Sequence, residues 1–132
     1  MSDPIIYIDN SDIRDGKVQE VRAAISELVE FIETREPQLM AYGFYIDETG
    51  SAMTVLAIHP DSDTLESHLE IGGPAFRKFA ELLELRTIDL YGRPSDKVLG
   101  QLQSKAEMLG PNARIVIHEQ DAGFMRFASA RT

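Results

Sequence analysis

Cysteine is absent from this 132-residue chain, and so is tryptophan. The first absence removes disulfides, thiolate nucleophiles, iron–sulfur clusters and cysteine zinc sites together. No apolar run approaches the roughly 20 residues a membrane-spanning helix needs. Basic residues are scarce, 13 against 22 acidic, for a net charge of −9. Nucleic acid and anionic membranes both demand clustered Lys and Arg, so neither is expected as a partner. Met1-Ser2-Asp3-Pro4 has neither the positive region nor the apolar stretch of a signal peptide, and the expectation is a cytoplasmic protein. What is present, 43% hydrophobic and 27% charged residues, is the composition of an ordinary soluble domain. No linker, repeat or low-complexity segment interrupts it, so residues 1–132 are expected to form one domain.

The first apolar run, Ile5-Ile6-Tyr7-Ile8, is short and rich in β-branched residues, and Asp9-Asn10-Ser11-Asp12 closes it. That pattern predicts a strand ending in a polar loop. Val18, Val21, Ile25, Leu28 and Ile32 then recur at spacings of three and four, which predicts an amphipathic helix ending before Pro37. Two strand-like runs, 39–47 and 52–59, flank Glu48-Thr49-Gly50-Ser51 and predict a hairpin. A second helix is expected from Ser62 or Asp63, with Glu66 three residues after Asp63 as a capping box. Its stripe is Leu65, Leu69, Phe76, Phe79 and Leu83, and Gly72-Gly73-Pro74 predicts a kink or break within it. Thr87 to Tyr91 reads as a fourth strand. The order β-α-β-β-α-β over residues 1–94 is the ferredoxin-like arrangement, an α+β fold. Residues 95–132 add a helix (95–109), a strand (113–119) and a last apolar stretch, Phe124-Met125-Arg126-Phe127. With five basic and four acidic groups this extension is no charged tail, and it is expected to be folded.

The hairpin bears on assembly. One face carries Met40, Tyr42, Phe44 and Ile46 with Met53, Val55 and Ala57; the other still offers Leu39, Ala41, Gly43 and Tyr45 with Thr54, Leu56 and Ile58. A sheet covered by helices on one side and water on the other should alternate apolar and polar residues, and these strands do not. Burial of the second face in a closed two-fold homodimer is the simplest remedy; coverage by the C-terminal extension is the alternative.

Three histidines, His59, His68 and His118, are the groups expected to titrate near neutral pH. His68 lies three residues after Leu65 and beside Leu69, so it should point between helix and sheet as a general base or ligand orienter. On periodicity alone, a neutral imidazole bonded to a backbone carbonyl is the simpler reading. His59 ends the third strand and reads as half exposed; His118, beside Glu119, reads as a surface or edge residue. No HExxH pair or other metal-ligand spacing joins them, and no metal is expected. Tyr7, Tyr42, Tyr45 and Tyr91 fall on strands, where a hydroxyl either lines a cavity or is satisfied in the core. Asp89, between Ile88 and Leu90, is either a base of raised pKa or a partner of Arg86 or Arg93. Gly72-Gly73 reads as a loop over a pocket, not a phosphate cradle, since neither GxGxxG nor GxxxxGK[ST] occurs. The acidic residues Glu20, Glu27, Glu30, Glu33 and Glu36 read as one solvated helix face.

The stretch Ala57-Ile58-His59-Pro60-Asp61-Ser62-Asp63-Thr64-Leu65-Glu66-Ser67-His68-Leu69, continuing to Phe76 and Phe79, resembles the antibiotic biosynthesis monooxygenase family. In that family a strand commonly ends in an aromatic residue, followed by a polar turn, an acidic helix start and a histidine nine positions on. His68 matches that histidine, and Leu65 and Phe76 match its apolar companions. The resemblance implies a dimeric α+β barrel with a pocket between sheet and helices. It also implies chemistry without a bound cofactor, in which a deprotonated electron-rich substrate itself reduces O₂. The usual tryptophan position is His59 here, which counts against the heme-degrading branch and its Asn-Trp-His set. About 38 residues follow Pro94, beyond the family's common length.

The leading expectation is therefore a cofactor-independent monooxygenase of a small aromatic, quinol-type substrate. Its catalytic groups would be His68, His59 and Asp89, and Tyr42, Phe44, Phe76 and Tyr91 would bind substrate. The competing expectation is a non-catalytic homodimer that binds a small hydrophobic ligand or regulates a partner.

Overall fold

Alternation over nine residues sets the central strand. Ile5, Tyr7, Asp9, Ser11 and Ile13 are buried, and the residues between them are partly or fully exposed. This is β1 (Ile5–Ile13) in a computed structural model that describes residues 3–126. The predicted polar loop at 9–12 is instead strand, because both neighbouring strands pair along it. Asn10 and Asp12 find partners across the ladder: Thr54 Oγ1 donates to Asn10 Oδ1 at 2.7 Å, and Arg86 Nε donates to Asp12 Oδ2 at 2.6 Å.

The amphipathic stripe forms α1 (Val18–Arg35), burying Val21, Leu28 and Ile32. The hairpin is β2 (Ala41–Ile46) and β3 (Ala52–His59), in a register that keeps Tyr42, Phe44 and Ile46 opposite Ala57, Val55 and Met53. Helix α2 (Ser62–Phe76) starts at Ser62 as expected, but its cap is Asp61 rather than Asp63: the Asp61 carboxylate accepts from the Thr64 amide at 2.9 Å. Pro74 does not break α2 as expected: it sits in the last turn, where it removes a single amide donor. The helix changes only after Phe76, into a 3₁₀ turn over Arg77–Phe79. Leu83, assigned to the helical stripe by spacing, opens β4 (Leu83–Tyr91).

The extension forms α3 (Asp96–Leu109), capped by Ser95, and β5 (Arg114–His118), parallel to β4. A Cβ at Gly110 would lie 2.1 Å from the Leu85 carbonyl oxygen, so only glycine lets the chain leave α3 this close to β4. Phe124, Met125 and Arg126 belong to no element, and Phe127 lies outside the described residues.

The sheet order is β2-β3-β1-β4-β5. All three helices contribute to one core with the inward residues of the sheet, including Leu28, Ile32, Leu65, Phe76, Val98 and Leu102. The chain thus has the expected α+β architecture, a ferredoxin-like core with an added helix and strand. Among the described residues no element covers the other sheet face: Ile6, Ile8, Leu56 and Val116 are partly exposed there, and Tyr45 is 60% exposed.

Candidate active site

Two polar clusters lie on the covered face of the sheet. The first grows from the period-two pattern of β1, which turns Tyr7 and Asp9 inward together. The Tyr7 hydroxyl donates to Asp9 Oδ2. From α3, Lys105 donates to the Tyr7 oxygen at 2.7 Å, and its Nζ lies 3.4 Å from Asp9 Oδ2. The Lys105 ammonium also sits over the rings of Phe76 (4.5 Å) and Tyr7 (4.8 Å). Burial pushes the Tyr7 phenol well above its ordinary value, and the Asp9 carboxylate adds to this. Burial lowers the Lys105 ammonium, against the pull of Asp9 in the opposite direction.

The second cluster joins the end of α1 to α2. His68 Nδ1 is 2.9 Å from both carboxylate oxygens of Glu36, with both side chains only 6% exposed. The backbone carbonyl expected for His68 is thus replaced by a carboxylate. The His68 ring contacts Tyr42, His59 and Phe76 at centroid distances of 5.2, 5.2 and 5.5 Å. His59 is fully buried rather than half exposed, and neither ring nitrogen has a hydrogen-bond partner among the described residues. Burial, together with the neighbouring His68, lowers its pKa to about 3, so it is neutral. Burial, then Asp9 and Glu36, raises the Tyr42 phenol.

Between the clusters lies a cavity of about 30 Å³. Asp9 and Lys105 reach it, and Tyr42, Phe44, Phe76 and Phe79 wall it. That is room for a water or two. His68 does not line it and touches two of its walls instead. A carboxylate, an ammonium and a phenol at an apolar, water-poor cavity can accept a proton and hold the resulting anion.

The structure therefore gathers His59, His68, Tyr42, Phe44 and Phe76 on one side and leaves two predicted site residues on the other. Asp89 and Tyr91 lie on the uncovered face, where His118 Nε2 is 2.8 Å from Asp89 Oδ1 and stacks on Tyr91 at 4.4 Å. The reason is parity: His68 faces the side of odd-numbered β1 residues, whereas Asp89 pairs with Ile8 and Tyr91 with Ile6. Gly72 and Gly73 are helical rather than a loop over a pocket.

Asp9 and Lys105 were not singled out by spacing, and Glu36, read as part of a solvated helix face, is instead buried against His68; yet each continues a pattern. Asp9 continues Ile5 and Tyr7 at intervals of two. Lys105 follows Val98 and Leu102 on the inward stripe of α3, and Glu36 follows Ile32 by four.

The sequence matches no family model and no curated protein. Similar solved structures exist. MupZ from Pseudomonas fluorescens is 16% identical, with TM-score 0.73, over 96% of this chain and 98% of its own. SnoaB, a cofactor-independent oxygenase from Streptomyces nogalater, is 14% identical with TM-score 0.59, over 71% of this chain and 96% of its own. A conserved protein of unknown function from Bacteroides thetaiotaomicron, described as a possible oxidoreductase, is 14% identical with TM-score 0.60, over 68% and 97%. The resemblance read from residues 57–79 thus holds for the fold. The match to MupZ takes in nearly the whole chain, whereas the other two cover about seven-tenths of it.

Proposed function

We propose that this chain is a cofactor-independent oxygenase of a small electron-rich aromatic molecule, such as a quinol or anthrone-type phenol. The Asp9–Tyr7–Lys105 cluster at the aromatic-walled cavity carries the reading. Asp9 takes a proton from the substrate, and the Lys105 ammonium holds the anion that forms. At an anthrone-type methylene the anion passes an electron to O₂, the two radicals combine to a peroxide anion at that carbon, the proton held by Asp9 returns to make the hydroperoxide, and loss of water leaves a carbonyl. The balance is CH₂ + O₂ → C=O + H₂O, with the substrate carbon oxidised and oxygen reduced. Glu36 holds His68, and His68 positions Tyr42 and Phe76 against the substrate. His68 and His59 are positioning residues in this scheme, and the fold likeness to SnoaB supports it.

The second reading is a non-catalytic homodimer that binds a small hydrophobic ligand; in either reading the molecule enters the 30 Å³ cavity only if Phe44, Phe76 or Phe79 moves. In both readings the uncovered face, with Ile6, Ile8, Leu56 and Val116, pairs with its copy about a two-fold axis. Light scattering is expected to give twice 14.8 kDa; a monomer that persists on concentration removes the pairing.

Oxygen uptake by metal-free protein over a panel of quinols and anthrones tests the chemistry. Wild-type turnover is expected, with Lys105→Met and Asp9→Asn each lowering kcat by about 100-fold or more. Uptake unchanged in both variants removes the cluster from the mechanism, and binding without uptake selects the second reading.

A further inference from the structure

A groove of about 630 Å³ runs between α2 and α3 on the outside of the molecule. It shares two residues with the inner cavity, Phe76 and Lys105, so these side chains form the partition between the two spaces. The Phe76 ring lies on Gly72, where a Cβ would come within 2.5 Å of the ring's Cζ.

The groove's charge is unusual for this protein. In a chain of net charge −9 it is lined by Arg77 and Lys105 and by no carboxylate. The acidic residues of α2 beside it, Glu66 and Glu70, are engaged elsewhere: Lys97 Nζ lies 2.6 Å from Glu70 Oε1, and Ser95 donates to Glu66 Oε2 at 2.6 Å. Arg77 has no acidic partner among the described residues. Gln101, also on the lining, has a buried Oε1 with no hydrogen-bond partner among the described residues. The comparable groove between α1 and α2, about 640 Å³, differs: Glu27 and Glu30 line it, and Lys78 is bridged to Glu27 at 3.1 Å.

We infer that the α2–α3 groove is the entrance to the inner cavity and binds the oxyanion tail of its ligand, an aromatic molecule carrying a carboxylate or phosphate. The tail meets Arg77, whose planar fork matches either group, and a ligand hydroxyl or amide donates to Gln101. The aromatic body passes Phe76 toward Asp9 and Lys105. This deepens the proposed function, resting on it for the identity of the inner cavity as the substrate site, but binding is measured without turnover.

Gly73 supplies a clean plug. Apart from its chain neighbours a Cβ there meets nothing within 4 Å, and the residue lines the groove, so Gly73→Leu fills the space, with the gain in helix propensity opposed by the restriction Pro74 places on the residue before it. Calorimetric titration in the absence of turnover compares 2-naphthoate, 2-naphthyl phosphate and the neutral 2-acetonaphthone. At least one anion is expected to bind tenfold or more tighter than the ketone, and the tighter of the two identifies the tail. Arg77→Gln should erase that preference, and Gly73→Leu should weaken all binding tenfold, with its urea midpoint measured alongside to separate blocking of the groove from loss of the fold. Equal affinity for anion and ketone, no binding of any probe, or binding indifferent to Gly73→Leu overturns the inference. An anion preference without oxygen uptake on any substrate leaves the groove intact and removes the oxygenase reading alone.

Discussion

Each face of the sheet holds a histidine against a carboxylate at almost the same distance, and the two pairs live in opposite worlds. His68 and Glu36 meet at 2.9 Å with 6% of each side chain exposed. His118 and Asp89 meet at 2.8 Å with 38% and 26% exposed. The buried pair ties the end of α1 to α2 and has no water to replace a lost partner, so each group depends on the other. The half-exposed pair exchanges its contact for solvent at little loss. Equal geometry does not mean equal energy; the dielectric around it decides.

The largest test of that contrast is Glu36→Ala. It strands a buried imidazole, and urea unfolding is expected to show a loss of about 3 kcal/mol. A loss near zero would put the two pairs on the same footing.

His59 sharpens the comparison through pH. Folded His59 takes up its proton only near pH 3, whereas an unfolded histidine does so near 6.5. The unfolded state therefore binds the extra proton first as pH falls. Stability contributed by neutral His59 is complete above 6.5 and declines toward pH 3, at up to about 1.4 kcal/mol per pH unit. His59→Leu removes two unpartnered ring nitrogens as well as this proton. Urea midpoints across that range are expected to become flatter, with a gain of about 1 kcal/mol at neutral pH. An acid slope identical to the wild type assigns the dependence to other groups.

The smallest effect is on the open face. Asp89→Ala should cost about 1 kcal/mol or less in the isolated chain. A larger loss that grows with protein concentration would place the pair inside the dimer contact.

How much of this was legible beforehand differs from element to element. The stripe from Val18 to Ile32 and the two runs flanking Thr49-Gly50 read directly, because local periodicity reports which side of a helix or strand is buried. His68 was aimed inward by the same rule. The polar stretch 9–12 was misread because it looks like a loop until β3 and β4 lie beside it and satisfy Asn10 and Asp12. Leu83 fits a helical spacing equally well as a strand start, and only pairing with Ile13 separates the two. Asp89 seemed to belong with His68 because chemistry suggested it; strand parity sent it to the other face.

Composition and spacing by themselves determined the α+β class, the order of the elements and the inward aim of His68, since hydrophobic period is a local property. The fold resemblance in residues 57–79 was likewise written in a short local stretch. Only the tertiary structure brought Lys105 to Tyr7 and Asp9, 98 and 96 residues away, and Glu36 to His68, 32 residues away. Contacts at such separations have no local signature. They arise because β1 is the middle of the sheet and α2 and α3 cross the same face, and that arrangement gathers five ionisable residues into two clusters there.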